Sequence, residues 1–99
     1  MQTYIMLTKL SPELLKQMQK REQHGRAWLE KVKEKCPEVK FKEHYAVLGD
    51  YDFIDIYEAP DAETAAKVSM ISNQHGAVNA KNLSAIPYKR FLEMTEEIR

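Results

Sequence analysis

A hairpin with large apolar residues on both faces constrains this fold more than any other feature. Residues 39–48 and 51–58 have the composition of strands, and Gly49-Asp50 between them suits a two-residue type II′ turn. That turn predicts four facing pairs: Leu48 with Tyr51, Ala46 with Phe53, His44 with Asp55, and Lys42 with Tyr57. The opposite face carries Phe41, Glu43, Tyr45, Val47, Asp52, Ile54, Ile56 and Glu58. Since large apolar side chains lie on both faces, we expect both faces of the sheet to be covered.

The flanking segments supply two further strands and three helices. Residues 3–10 predict a strand that is apolar on both faces and therefore central in its sheet. Ser11-Pro12 is typical of a helix start, and the apolar periodicity predicts one helix from there to about Cys36, before Pro37. The later elements are a helix over 62–74, a strand over 77–86 and a short amphipathic helix after Pro87.

The order β-α-β-β-α-β with a C-terminal helix is typical of a ferredoxin-like α+β fold, and we expect residues 1–99 to form a single domain. Two helices of such a fold cover one face of the sheet and leave the other bare. A chain this short gains little stability from its own core. We therefore predict that a second copy covers the bare face, which gives a homodimer or a higher oligomer.

The balance of charge excludes several partners. Lys and Arg number 15, Asp and Glu number 15, and there is one Cys. A net charge of zero removes the electrostatic attraction that dominates binding to nucleic acid or to an anionic membrane. One Cys excludes an intrachain disulfide and a zinc site with several Cys ligands. We expect a cytoplasmic domain with no secretion signal, no membrane span, no metal and no cofactor.

The predicted register makes His44 and Asp55 the sharpest candidate for chemistry. A carboxylate that accepts a hydrogen bond from imidazole fixes its tautomer and raises its basicity, as general acid–base catalysis requires. The alternative is a cross-strand pair that only stabilises the sheet. A shift of one residue in the register would separate the two side chains.

A second candidate combines Arg21 with Glu43 or Asp52 in a ligand-binding cleft beneath the first long helix. It depends on Ile54 and Ile56 facing the helices, because the two carboxylates share their side of the hairpin. The alternative is a partly buried ion pair without a ligand.

The stretch from Tyr45 to Asp61, with Gly49, Tyr51 and Asp52 at its turn, resembles the signature of the GYD domain family. The segments 4–12 and 83–87 are also similar to that family, whereas 36–39 lacks the glycine-rich entry that its members tend to carry. The resemblance implies a dimeric α/β barrel, in a superfamily that includes small cofactor-free monooxygenases, isomerases and ligand-binding modules. It implies no particular reaction.

Three functions remain open from the sequence. The first is a module that binds a small molecule between helices and sheet. The second is a cofactor-free enzyme that transfers a proton through His44 and Asp55, or through Arg21 and a carboxylate. The third is a structural or regulatory oligomer that binds other proteins. An enclosed polar cavity touching Arg21 favours the first two.

Overall fold

A computed structural model describes all residues from 1 to 99 and shows one four-stranded antiparallel sheet. The elements are β1 (Gln2–Leu10), α1 (Pro12–Leu15), a 3₁₀ turn (Met18–Lys20), α2 (Arg21–Lys35), β2 (Lys40–Ala46), β3 (Phe53–Ala59), α3 (Ala62–Gln74), β4 (Ala77–Ala85) and α4 (Tyr88–Glu97). The strand order is β2-β3-β1-β4, so β1 is central as predicted. The ferredoxin-like α+β fold is confirmed.

The strand register arranges the helix-covered face of the sheet in three rows of facing residues. The rows are Phe41–Tyr57–Tyr4–Ser84, then His44–Asp55–Met6–Asn82, then Ala46–Phe53–Thr8–Ala80. The first row is aromatic, with ring centroids 5.7 Å apart for Tyr4 and Tyr57 and 5.6 Å apart for Phe41 and Tyr57. Apart from Phe53, the third row carries small side chains. The side-chain volume on this face therefore decreases from the first row to the third.

The core lies between this face and helices α2 and α3. Its buried members are Tyr4, Met6, Val32, Cys36, Tyr57, Ala59, Ala65, Val68 and Ile71. The hydroxyl of Tyr57 donates to Asn82 Oδ1 at 2.5 Å, and Asn82 Nδ2 donates to the carbonyl of Ala65 at 2.9 Å, which ties the sheet to α3. Burial raises the pKa of Tyr57, so its hydroxyl keeps its proton at neutral pH.

The opposite face of the sheet has no helix on it. Its apolar residues are half-buried or exposed: Ile5, Leu7, Tyr45, Ile54, Ile56 and Leu83. We call these six residues the open face. Helix α4 also buries no residue, and its Tyr88 and the adjoining Ile98 are largely exposed. No helix of the chain is both long and apolar enough to cross a lipid bilayer.

The prediction of one helix from Ser11 to about Cys36 was wrong, because the chain breaks after Leu15 and resumes as α2 at Arg21. The break follows from the anchoring of the first turn. Leu14 is buried against Gly76, where an added Cβ would lie 2.1 Å from Leu14 Cδ1. The Ser11 amide donates to the carbonyl of Gly76 at 2.9 Å, so α1 is fixed to the start of β4 while α2 lies over the sheet.

The hairpin differs from its prediction in two places. The ladder stops at the Ala46–Phe53 pair, so residues 47–52 form a loop in which Leu48 is exposed and does not face Tyr51. The loop is held toward β1, since the Asp52 amide donates to the carbonyl of Thr8 at 2.8 Å. A register shift between Phe41 and Glu43 puts Phe41, rather than Lys42, opposite Tyr57. The predicted His44–Asp55 and Ala46–Phe53 pairings are confirmed.

Ile54 and Ile56 do not face the helices, so the condition for the second candidate, Arg21 with Glu43 or Asp52, is not met. Both isoleucines lie on the open face. The alternate residues of the same strand, Asp55 and Tyr57, are buried on the side of the helices. The physical reason is that the aromatic row needs the space beneath α2 and α3, while isoleucines fit a flat sheet surface. This orientation of the hairpin decides which candidate residues share a site.

Candidate functional site

A cleft of about 630 Å³ lies between α2 and the helix-covered face of the sheet. Its apolar lining is Leu10, Leu14, Trp28, Leu29, Phe41, Ala46, Phe53 and Ala77, with Gly25 on the helix side. Its polar lining is Thr8, Arg21, Glu22, His24, Arg26, His44, Asp55, Ser72 and His75. Most of the exposed surface of this lining comes from apolar atoms, although half of its residues are polar. A cleft of this size and surface has the properties of a small-molecule site, for which typical volumes are about 300–1,000 Å³.

Small side chains open this cleft near the 47–52 loop. Ala46 flanks Phe53 in the third row of the sheet, and Thr8 flanks it on the other side. On α2, a Cβ added to Gly25 would meet no atom within 4 Å. By contrast, Trp28 packs edge-on against Phe41 at 5.2 Å, where the cleft meets the aromatic row. The sequence thus leaves space beneath the first half of α2 and fills it beneath the second half.

The ring of Phe53 brings two candidate residues together. The Arg21 guanidinium carbon lies 4.8 Å from the ring centroid, which is a cation–π contact. The imidazole of His44 stacks on the same ring, with centroids 5.2 Å apart and planes 19° apart. Arg21 and His44 are therefore neighbours in one site, although the sequence analysis had assigned them to separate candidates.

His44 and Asp55 form a hydrogen bond in this site. His44 Nδ1 lies 2.5 Å from Asp55 Oδ1. The Asp55 side chain is buried, whereas the imidazole of His44 is half-exposed. The hydrogen bond to Asp55 raises the pKa of His44, burial opposes this rise, and the charge of Asp55 adds to it. Because the carboxylate accepts from Nδ1–H, the neutral tautomer leaves Nε2 as a free acceptor. The pair is thus able to accept and return a proton.

The predicted pairing of Arg21 with Glu43 or Asp52 does not form. Glu43 lies on the open-face side, where it accepts a hydrogen bond from the Tyr45 hydroxyl at 3.2 Å. Asp52 Oδ2 accepts from the Leu10 amide at 2.8 Å, so Asp52 holds the loop against β1. Both results follow from the orientation of the hairpin, since Ile54 and Ile56 lie on the open face and not beneath the helices. Of the three residues proposed to bind a ligand, only Arg21 lines the cleft.

Two hydroxyl groups lie in the cleft that the sequence analysis did not single out. Ser72 Oγ accepts from Trp28 Nε1 at 2.8 Å and fixes the orientation of the indole. Thr8 Oγ1 is buried and has no hydrogen-bond partner among the protein groups. An unpartnered buried hydroxyl costs about 1–3 kcal/mol. The alternation of β1 could have placed Thr8 on the same face as Tyr4 and Met6, but no sequence pattern shows that its hydroxyl is unpaired.

All three histidines of the chain line this one cleft. His44 comes from β2, His24 from α2, and His75 from the end of α3. Sequence reasoning treated them as isolated because no two share a helical spacing, and only the tertiary fold brings them together. No group of three or more His, Cys, Asp or Glu is arranged to hold a metal ion.

The ion pairs of the cleft leave one guanidinium without a partner. Arg26 pairs with Glu22 at 2.7 Å, and His44 pairs with Asp55. Arg21 forms no ion pair and no hydrogen bond through its side chain. The two carboxylates of the lining thus already have partners, and Arg21 is the charged group of the cleft that has none.

Fold and cleft together define the class: a ferredoxin-like α+β protein with a cleft between helix and sheet that is lined mainly by apolar surface and contains one unpaired arginine. The chain is similar to the crystal structure of TTHA0845 from Thermus thermophilus, with a TM-score of 0.59, 24% identity, and coverage of 88% of this chain and 95% of that one. It is also similar to the crystal structure of MtbAldR, with a TM-score of 0.62, 17% identity, and coverage of 87% and 53%. At these identities the likeness shows the fold alone.

The family is shown by a match over nearly the whole chain. The GYD domain model matches residues 4–95, and the protein belongs to the GYD domain family. A curated relative from Thermus thermophilus, named glutamine synthetase and cystathionine beta-lyase binding protein, is 46% identical over 43 residues. That match covers 43% of this chain and 45% of the relative, so the chain spans under half of the relative's length.

Proposed function

We propose that this protein is a binding module that takes a small, largely apolar molecule into the cleft between α2 and the sheet. The observation that carries the proposal is the cleft itself: it has a volume of about 630 Å³, most of its lining surface is apolar, and Arg21 lies unpaired at its wall. A protein that used this region only as core would fill it. Here Gly25 and Ala46 keep it open, and the buried hydroxyl of Thr8 has no protein partner.

A neutral fluorescent probe tests this function. Phenylnaphthylamine gains fluorescence in apolar clefts and carries no charge, and Trp28, the only tryptophan, lies in the lining and reports binding by energy transfer. The matched variants are Gly25→Phe, which fills the mouth of the cleft, and Ala27→Phe, which adds the same ring to an exposed position of α2 outside the lining.

The proposed function predicts saturable binding to the native protein and to Ala27→Phe, and loss of binding in Gly25→Phe. Circular dichroism checks that both variants keep their helix content. Binding that persists unchanged in Gly25→Phe contradicts the proposal, because the probe then occupies another surface. Absence of saturable binding to the native protein contradicts it as well.

We also propose that the working unit is a homodimer or a higher oligomer. The support is the open face, whose six apolar residues lie on a sheet surface that no helix of the chain covers. A sheet with one exposed apolar face is unusual in a lone domain. Two copies related by a twofold axis would bury the open face of each against the same face of the other.

Binding to other proteins is a second candidate function, favoured by the name of the Thermus thermophilus relative. The exposed apolar residues of α4 offer a surface of the right kind, because exposed apolar patches mark protein interfaces. The test is co-elution of the purified chain with purified glutamine synthetase or cystathionine β-lyase from the same source. Co-elution that Phe91→Glu abolishes supports this candidate, and separate elution with both enzymes contradicts it.

Proton transfer is a third candidate, favoured by the His44–Asp55 hydrogen bond beside the same cleft. General acid–base catalysis contributes about 10²–10⁴-fold to a rate. For a bound ligand with an acidic C–H, His44→Gln is therefore expected to slow exchange of that hydrogen with deuterium at least about a hundredfold. An unchanged exchange rate contradicts a catalytic role for the pair.

A further inference from the structure

We propose that the ligand of the cleft is a small organic monoanion, a carboxylate on a flat apolar body, and that Arg21 binds the carboxylate. This inference rests on the proposed function and names the chemical class of its ligand. It follows from three properties of the cleft: its unpaired charge, the position of Arg21, and the shape of its apolar walls.

The pairing of charged groups in the cleft favours a ligand that carries one negative charge. The lining contains two carboxylates, and each already has a partner: Glu22 pairs with the guanidinium of Arg26, and Asp55 with the imidazole of His44. A cationic ligand would meet no free carboxylate. A dianion would need a second unpaired cation, whereas Arg21 is the only guanidinium of the lining without a partner. A single carboxylate therefore matches the one guanidinium of the cleft that has no partner.

The position of Arg21 suits it to hold a carboxylate. It is the first residue of α2, it is half-buried, and its guanidinium lies over the Phe53 ring. A guanidinium presents paired N–H groups that match the two oxygens of a carboxylate. No side chain caps the N-terminus of α2, and the positive end of its helix dipole adds potential at the same end. Apolar walls strengthen such an interaction, because they lower the local dielectric constant.

The remaining walls select a flat apolar body. Trp28 and Phe41 pack edge to face on one side, and Leu29 lines the wall on α2. The indole is held by its hydrogen bond to Ser72, so the aromatic wall is fixed before a ligand enters. A fixed wall of this kind binds rings with little loss of side-chain entropy.

Displacement of phenylnaphthylamine by three competitors tests the inference. Naphthoate carries the carboxylate, naphthamide has the same shape without charge, and naphthylmethylamine is a cation. We expect naphthoate to displace the probe at a concentration about tenfold or more below that of naphthamide, since a charge-assisted pair contributes that much to affinity. The amine is expected to be the weakest of the three.

Matched arginine variants assign the preference to one residue. Arg21→Gln is expected to abolish the advantage of naphthoate over naphthamide, and Arg21→Lys to keep part of it. Arg99→Gln is the control, because it removes the same charge from an exposed arginine outside the lining of the cleft. It is expected to keep the full advantage.

The outcomes separate the inference from the proposed function. If the probe binds and naphthoate competes no better than naphthamide, the cleft is a site but the ligand class is wrong. If the preference for naphthoate survives in Arg21→Gln, the assignment of the carboxylate to Arg21 is overturned. If the probe does not bind at all, the proposed function itself fails.

Discussion

At the scale of single residues, the site is organised by the ring of Phe53. Arg21 lies over this ring, His44 stacks on it, and Thr8 is its cross-strand neighbour on β1. Aromatic rings hold cations and imidazoles without consuming their hydrogen-bonding groups. The polar atoms of Arg21 and the free nitrogen of His44 thus stay available to a ligand while their positions are fixed.

The first prediction concerns His44 and pH. Its folded-state pKa is raised by the hydrogen bond to Asp55, above an unfolded value of about 6.5. The folded state therefore binds more protons, so this stabilisation is full below the unfolded pKa and is lost as pH rises through the folded one. The native protein is therefore expected to lose its stability advantage over His44→Gln as pH rises. Urea unfolding at pH values from below the unfolded pKa to above the folded pKa measures this advantage. A difference that is constant with pH would contradict the account.

The second prediction concerns the buried hydroxyl. Thr8→Val keeps the shape of the side chain and removes an atom that has no protein partner, so the free energy of unfolding is expected to rise by about 1 kcal/mol. Thr3→Val on the same strand is the control, because Thr3 is only half-buried and little change is expected there. Urea unfolding gives both values. A loss of stability in Thr8→Val would show that the hydroxyl is satisfied.

At the scale of elements, the contact between α1 and the start of β4 decides how the chain runs over the cleft. Gly76 has φ +101° and carries the carbonyl that accepts from the Ser11 amide. Leu14 packs directly on it. This contact ends α1 after one turn and lets α2 begin where Arg21 reaches the cleft.

The third prediction compares the three glycines. Gly76→Ala adds a methyl group 2.1 Å from Leu14 at a positive φ, so we expect a loss of about 2–4 kcal/mol. Gly49→Ala has a positive φ but open space, and a loss of about 1 kcal/mol is expected. Gly25→Ala in mid-helix is expected to gain about 0.5–1 kcal/mol. Urea unfolding measures all three, and Gly76→Ala no worse than Gly49→Ala would contradict the packing argument.

The elements were readable from the sequence because their signals are local. Asp61 and Gly76 bracket α3, and the hydrophobic pattern of 3–10 predicted β1 within one residue of its start. The break before α2 could not be read, since it depends on Leu14 meeting Gly76 from a distant part of the chain. Periodicity alone continues through such a break.

The site was only half predictable for a related reason. The pairing of His44 with Asp55 could be predicted from a symmetric hairpin about Gly49-Asp50, and this register holds although residues 47–52 form a longer loop. The grouping of Arg21 with this pair depends on which face the helices cover. Both faces of the hairpin are apolar, so the pattern could not choose between them. The packing of Tyr57 with Tyr4 and Phe41 makes that choice in the folded chain.

At the scale of the whole molecule, one face of the sheet carries the cleft and the other the apolar surface available for association. The two are back to back, so a second copy on the open face would leave the cleft accessible. Oligomer formation and ligand binding are thus compatible, and variants on one face can be tested without disturbing the other.

The fourth prediction concerns association. Sedimentation velocity at micromolar concentration is expected to show a species of at least twice the 11.6 kDa chain mass. Ile56→Lys on the open face is expected to shift the protein to a monomer, because a lysine there would be buried without a partner. Met70→Lys, at an exposed position of α3, is the control and is expected to stay associated. A native protein that sediments only as a monomer would contradict the proposal.

The central claim is that the cleft beneath α2 is a binding site. A titration of the isotope-labelled protein with the neutral probe phenylnaphthylamine, followed by ¹H–¹⁵N correlation spectra, tests it most directly. We predict saturable shifts at the amides of Arg21, Gly25 and Phe53 and at the indole N–H of Trp28, the groups that line the cleft. Shifts confined to open-face residues such as Ile5 and Leu83, or no saturable shifts, would contradict the claim.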